Sequence, residues 1–333
     1  MHSWGVLSTG GIAQKFVAAV QSSSDVQIAA IASRDAARAT EVAQKMGIPQ
    51  AYGSYEALLT DPKIEAVYIA LPNSLHAEWS IKAAQAGKHI LCEKPLGVSR
   101  TEAEAMFEAA RKHRVCLMEA FMYRFHPQTR ALQELINNGT VGQVQLVRAS
   151  FGFTVTDPVN VRLNAELAGG ALMDVGCYCV NVVRMITGCA PHRVTAVARW
   201  APSGVDETLL GTLEYPNGIL AQVLCSLSSA RHHMVQIIGS DGVIEVDEVF
   251  TPPPDQPTII RLRHGAHATH LEEREIEPVN HFRLEAEGFV RLIRDGHGDW
   301  PDMPIVETLD NLATIEALLQ SARHGQAVQI QSN

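Results

Sequence analysis

The chain is poor in aromatic residues, which make up 6% of its 333 positions, and it holds no extended block of lysine and arginine. Affinity for nucleic acid rests on clustered cations at the phosphates, so a formal net charge of −9 argues against that partner. No apolar run approaches the roughly 18 residues that cross a bilayer. The N-terminus also lacks the charged start and apolar stretch of a secretory signal, so a cytoplasmic protein with no membrane partner is expected. The six cysteines, Cys92, Cys116, Cys177, Cys179, Cys189 and Cys225, include no Cys-x-x-Cys pair, and histidines and acidic residues show no ligand spacing. Neither a disulfide framework nor a metal centre is indicated, and any anion site must be local.

What the chain does have is 46% hydrophobic content and a length that suits two domains better than one. To about residue 120, short apolar runs alternate with helical stretches: "WGVLS", "GIAQKFVAAV", "VQIAAIAS", "AARATEVAQKM", "AVYIALP", "HAEWSIKAAQAG", "HILCE". That alternation implies βαβ units on a parallel sheet. After a helix near "PQTRALQELINNG" the chain turns to strand-like runs, "VQLVRASFGF", "HRVTAVARW", "ETLLGTLEY", "GILAQVLCSLS", "HMVQIIG" and "TIIRLR", read as an antiparallel meander, with two closing helices near 281–295 and 305–324. The fold class is therefore α/β: a Rossmann dinucleotide-binding domain over 1–121, then an α+β domain over 122–333 with a large, mainly antiparallel open sheet. Apolar runs such as "GILAQVLCSLS" are too hydrophobic for a solvent face, which predicts a homodimer or homotetramer built on that sheet.

"GVLSTGGIAQKF" places Ser8, Gly10 and Ala13 where a dinucleotide fold carries its GxGxxG/A triplet, after a strand and opening a helix. Gly10 allows close approach of a diphosphate, the amides of Gly11 and Ile12 meet its charge, and Ala13 permits tight helix–strand packing. Some 20 residues on, the second strand ends in "ASRDAAR". Ser33 and Arg34, with Arg38 a turn later, stand where an NAD site carries an acidic residue, and a guanidinium suits the extra phosphate of NADP. The plainer reading makes Arg34 a solvated residue beside Asp35, itself a helix cap or a weak NAD ligand. Glu93 and Lys94 in "HILCEKPLGVS", with Asn73 and His76 in "LPNSLHAEW", end neighbouring strands at the carboxyl edge where such sheets bind ligands. Alternatively Lys94 pairs with Glu93 and His76 is a cap or half-buried.

In "GGALMDVGCYCVN" Asp174 and Tyr178 are four residues apart, so on a helix they share a face. A capping Asp and a core Tyr would explain them without chemistry.

These motifs, the SxGxxA turn with "ASRD", "YGSYEALL", "LPNSLHAEW", "LCEKPLGVS", "EAFMYRFHP" and "GGALMDVGCY", occur in the order and spacing of the Gfo/Idh/MocA oxidoreductases, and the resemblance spans nearly the whole chain. Within that family the sequence looks most like the dimeric dihydrodiol dehydrogenases and the bacterial NADP-dependent D-xylose dehydrogenases, where Tyr follows the Asp by four. Inositol dehydrogenases and anhydrofructose reductases usually place His there. The resemblance implies that Lys94 contacts nicotinamide ribose and substrate, that Asp174 and Tyr178 are the family's Asp-x-x-x-Tyr/His pair, and that Arg162 lies near the cofactor. Met122 departs from the Trp of the mammalian diol enzyme, which counts against an aromatic diol.

The expected function is thus NADP(H)-dependent hydride transfer at a hydroxyl or carbonyl carbon of a sugar, polyol or trans-diol, as in oxidation of D-xylose to its lactone. The alternatives are a reductase of a keto-sugar such as 1,5-anhydrofructose and a non-catalytic NADP-sensing regulator. Free Tyr titrates near 10, so Tyr178 needs a cation to reach phenolate at neutral pH, and Lys94 is the candidate; either could be the formal base. Asp174 would orient Lys94 or grip a second hydroxyl, while Gly169 and Gly170 let the backbone pass close to the cofactor.

Overall fold

The computed structural model describes residues 1–296 and 303–330. They form two compact units, 1–125 with 280–296 and 303–305, and 126–279 with 306–330.

The first unit carries β1 (His2–Leu7), β2 (Val26–Ala32), β3 (Gln50–Tyr52), β4 (Ala66–Ile69), β5 (His89–Glu93) and β6 (Leu117–Ala120), with α1 (Gly11–Val20), α2 (Ala36–Met46), α3 (Tyr55–Leu59), α4 (His76–Gln85) and α5 (Arg100–His113) between them. The sheet order is β3-β2-β1-β4-β5-β6, with every pairing parallel, which is the doubly wound dinucleotide-binding arrangement. Its inner strands are buried on both faces, and this is why "AVYI" and "HILC" read as unbroken apolar runs instead of alternating ones. Local chemistry sets the helix starts. Asp35 accepts the Ala37 and Arg38 amides, Ser54 that of Ala57 and Ser99 that of Glu102, whereas α1 begins at Gly10 with no side-chain cap.

The second unit contains α6 (Pro127–Asn137), β7 (Val144–Thr154), α7 (Cys177–Thr187), β8 (Arg193–Trp200), β9 (Asp206–Glu214), β10 (Leu220–Ser226), β11 (Ser228–Gly239), β12 (Gly242–Asp247), β13 (Thr258–His264) and β14 (His270–Ile276). After α8 (His281–Asp295) of the first unit, it is completed by α9 (Ile305–His324) and β15 (Val328–Gln329). Its nine strands run β14-β13-β12-β11-β7-β10-β9-β8-β15. The expected simple meander is corrected here: two antiparallel runs, β8 to β10 and β11 to β14, flank β7, which lies parallel to β10. The long connection through α7 carries the chain away from β7 before β8 begins, so sequence neighbours do not pair there.

The expected division at 121/122 differs from this partition in two respects, a boundary four residues later and the assignment of α8 to the first unit. Phe289 meets Trp4 edge-on at 5.6 Å, and Phe282 meets Phe16 at 6.4 Å, so an aromatic stripe seats the helix on the first unit. Phe16 in turn stacks on Tyr68 at 3.8 Å. No helix among the described residues is long and apolar enough to cross a membrane.

Candidate active site

At the β1–α1 turn Gly10 and Gly11 are exposed, Ile12 is half-buried and Ala13 is fully buried against the sheet. A methyl group built on Gly11 would meet nothing within 4 Å, so the loop has open space over its amides. Ser8, standing where the fingerprint has Gly, takes φ +145°, a region that favours glycine, and its Oγ accepts the Gly10 amide at 3.0 Å. These residues fit a dinucleotide diphosphate: small, open and uncapped. At the end of β2 Ser33 is buried and its Oγ accepts the Asp35 amide, while Asp35 is spent on capping α2. Arg38 is tied to Glu41 at 2.7 Å, whereas Arg34 is exposed and forms no ion pair among the described residues.

The Glu93-Lys94-Pro95 turn is held from several sides. Tyr68 donates its hydroxyl to Glu93 Oε1, Glu119 Oε1 accepts the Leu96 amide at 2.9 Å, and His76 Nδ1 lies 2.8 Å from the Pro95 carbonyl. The Lys94–Pro95 bond is cis. His76 does not line a cofactor cleft as expected. It is fully buried with Nε2 2.8 Å from the Leu71 carbonyl, so it ties the end of β4 to this turn, and burial pushes its pKa below 6.5. Glu93, also buried, supports Lys94 from within, accepting its amide at 3.3 Å, and is too deep to serve as an open ligand. Lys94 and Asn73 are half-buried. Glu119 went unassigned in the sequence, although "EAFMYRFHP" contains it, because a lone Glu in an apolar run carries no spacing signal.

In the second unit the 169–181 stretch is a π-helical turn, Leu172–Gly176, running into α7. Such widened turns displace side chains from α-helical register and recur at functional sites. Asp174 sits on the π turn with its Oδ2 held by Arg162 Nε at 2.6 Å, and Tyr178 opens α7, almost wholly buried, against Phe151 at 5.6 Å and Phe250 at 5.4 Å. Arg162 is thereby brought to Asp174, and its guanidinium also lies over Phe153 at 5.5 Å. Behind the aromatic floor, His233 Nδ1 accepts the Phe250 amide at 3.3 Å, which leaves Nε2–H to face Glu248 at 2.6 Å. Burial holds that imidazole neutral, its pKa lowered to about 4.

The glycines at 169 and 170 make room for the protein's own atoms. A Cβ on Gly169 would lie 2.3 Å from the Arg162 carbonyl, and one on Gly170, where φ is +116°, 2.2 Å from Asp206 Oδ1. Asp206 Oδ2 accepts the Leu172 amide at 2.7 Å and so anchors the start of the π turn. No motif marks this Asp, and only its burial reveals it. Burial raises its pKa from 3.8 to about 7, outweighing the Leu172 amide. Because the folded value lies above the unfolded one, its contribution to stability is complete below about 4 and is lost as pH rises through about 7. Asp206→Asn, which keeps an acceptor for Leu172, should gain on wild type by roughly 2–4 kcal/mol between pH 4 and pH 8 in denaturant titrations; a constant difference would show that Asp206 does not titrate there.

Family models match both units: residues 3–121 fit an oxidoreductase family with an NAD-binding Rossmann fold, and 129–245 fit the GFO/IDH/MocA C-terminal domain. A D-xylose 1-dehydrogenase (NADP(+)) of Haloferax volcanii is 40% identical over 98% of this chain and 99% of its own. A trans-1,2-dihydrobenzene-1,2-diol dehydrogenase of Xenopus laevis is 38% identical over 95% and 97%. A 3-ketoreductase from Actinomadura kijaniata, solved in complex with NADP and TDP-benzene, superposes with a TM-score of 0.90 at 29% identity over 96% of this chain and 97% of that one. An aldose-aldose oxidoreductase from Caulobacter crescentus complexed with glycerol gives 0.89 at 29% identity over 98% and 99%. With a dinucleotide-binding unit, a turn built around Glu93-Lys94-Pro95 and full-length relatives of this identity, the chain belongs to the GFO/IDH/MocA family of oxidoreductases.

Proposed function

We propose that the protein is an NADP-dependent oxidoreductase that interconverts a hydroxyl and a carbonyl on a sugar or polyol. The observation that carries this reading is the turn at 172–178, where Arg162 holds the Asp174 carboxylate and Tyr178 follows four residues later. When bound, the cofactor supplies the hydride acceptor or donor. Gly10, Gly11 and Ile12 face its diphosphate, and Arg34, with no acidic partner of its own, takes the 2′-phosphate. Tyr178 holds the substrate hydroxyl and exchanges its proton. Lys94 takes the nicotinamide ribose, and Asp174, oriented by Arg162, accepts a second substrate hydroxyl, which favours polyhydroxy compounds. The retention of Lys94, Asp174 and Tyr178 together argues against a nucleotide sensor without chemistry, which has no need for all three. A C1-deuterated aldose turned over with NADP should give deuterated NADPH; unlabelled NADPH would place the chemistry at another carbon.

A second reading, reduction of a keto-sugar, is favoured by the likeness to the Actinomadura kijaniata 3-ketoreductase. It uses the same residues in the reverse direction, with Tyr178 donating the proton.

The open sheet face of the second unit supports self-association. Val197, 68% exposed, pairs with Leu210, 48% exposed, and Leu210 pairs with Leu224, while Leu220 pairs with Leu146. Val197, Leu210 and Leu224 line a groove of about 650 Å³ whose other walls include Arg148, Gln222 and Met234. Analytical ultracentrifugation at micromolar concentration should show a homodimer or homotetramer, with Leu210→Glu shifting it towards monomer. A monomeric wild type would overturn this assignment.

A further inference from the structure

The Tyr178 ring lies against Phe151, from β7, and Phe250, and these two stack on each other at 5.4 Å with their planes 15° apart. Phe250 is fully buried although it belongs to no strand or helix. It follows β12, where the chain turns back at Glu248 with φ +54°, a left-handed backbone that a residue with a side chain keeps only when its surroundings hold it. The holder is His233, on β11. Its carbonyl accepts the Glu248 amide at 3.1 Å, its Nδ1 accepts the Phe250 amide at 3.3 Å, and its Nε2 lies 2.6 Å from Glu248 Oε2 and 3.1 Å from Thr251 Oγ1. Arg231, on the same strand, closes the outer side by donating to Glu248 Oε2 at 3.3 Å and to Thr251 Oγ1 at 3.1 Å. Pro252, Pro253 and Pro254 come next and have no amide to bond with, so no backbone donor takes over the anchoring there.

We infer that His233 is a positioning residue for the proton transfer assigned to Tyr178: bonded through both ring nitrogens to residues 248–251, it fixes Phe250 against the Tyr178 ring and with it the direction of the Tyr178 hydroxyl. The inference rests on the reading of Tyr178 as the acid/base. The imidazole also meets Phe151 at 5.0 Å, but a phenylalanine in its place would make that contact without burying two ring nitrogens, so its bonds and not its packing explain it. A neutral imidazole whose Nδ1 accepts carries its proton on Nε2, and the Glu248 carboxylate selects that tautomer. One ring thus serves an amide on one side and a carboxylate on the other. Burial supports that state, since the neutral form persists down to a pKa of about 4.

The test is kcat, KM and NADPH affinity for wild type, His233→Phe, Tyr178→Phe and the double variant, with D-xylose and a trans-diol offered with NADP, and 1,5-anhydrofructose with NADPH. His233→Phe keeps a ring on Phe151 and removes both bonds. It should lower kcat by roughly 10- to 100-fold, the cost of misplacing an acid/base by about 1 Å, while KM and the NADPH dissociation constant stay within about 3-fold. In the Tyr178→Phe background the same substitution should lower the residual kcat no further, because it acts only through the hydroxyl already removed. A general packing defect would lower kcat in both backgrounds. That outcome, or an unchanged kcat in His233→Phe, would overturn the inference while leaving Tyr178 as the acid/base. Should His233→Phe not fold, Glu248→Ala loosens the same tether from the exposed side; it should lower kcat by roughly 3- to 10-fold, again only where Tyr178 is present, and is judged by the same two criteria. If Tyr178→Phe itself turns over normally, or wild type turns over none of the three compounds, the reading of Tyr178 falls and the inference with it.

Discussion

Tyr178→Phe should lower kcat by roughly 10²–10⁴, the loss that follows removal of a positioned acid/base, with NADPH affinity within about 2-fold of wild type. The substitution is clean because the ring's packing on Phe151 and Phe250 is retained and only the hydroxyl is removed. Stability should therefore change by less than about 1 kcal/mol, within the range of neutral substitutions, so lost activity cannot be put down to unfolding. Single-turnover kinetics would place the deficit in the chemical step. Normal turnover on the true substrate would make Tyr178 a core residue that happens to follow Asp174.

Arg34→Asp should invert the cofactor preference, moving the NADP-to-NAD ratio of kcat/KM by on the order of 10²–10³. Two effects act in one direction. The cation that favours a phosphate is lost, and the new carboxylate repels that phosphate while offering the ribose hydroxyls of NAD an acceptor. Arg38 cannot replace it cheaply, since it must leave Glu41 to do so. Steady-state kinetics with both cofactors measure the ratio, and an unaltered value would assign the 2′-phosphate to another residue.

The first unit was largely legible in the sequence because its signals are local. Apolar runs mark strands buried on both faces, and glycines and caps mark the turns, so motif and position coincide. The second unit was less so. β14 is charged almost throughout, "HLEEREI", as an exposed edge strand can be, and gives no alternation to read. Placing β7 beside β10 needs long-range pairing that no window of sequence contains. Among the candidate residues, Lys94, Asp174 and Tyr178 are singled out by spacing and family resemblance. The residues that hold the site's elements in place were missed or misread: His76 proved to be an internal tie, Glu119 and Asp206 hold backbone amides, and Gly169 and Gly170 make room for neighbouring protein atoms. Such roles depend on which groups meet after folding, and a carboxylate that caps a distant amide leaves no periodicity behind.

The central claim is that this chain carries out NADP-linked chemistry on a sugar-like substrate. It is tested most directly by following NADPH absorbance while the protein is offered aldoses, inositols, trans-diols and 1,5-anhydrosugars with NADP, and the corresponding ketones with NADPH. Saturable turnover with at least one polyhydroxy compound is expected, with preference for NADP over NAD and loss of that turnover in Tyr178→Phe. Tight NADPH binding with no turnover of any of these compounds would contradict it and identify the protein as a nucleotide sensor.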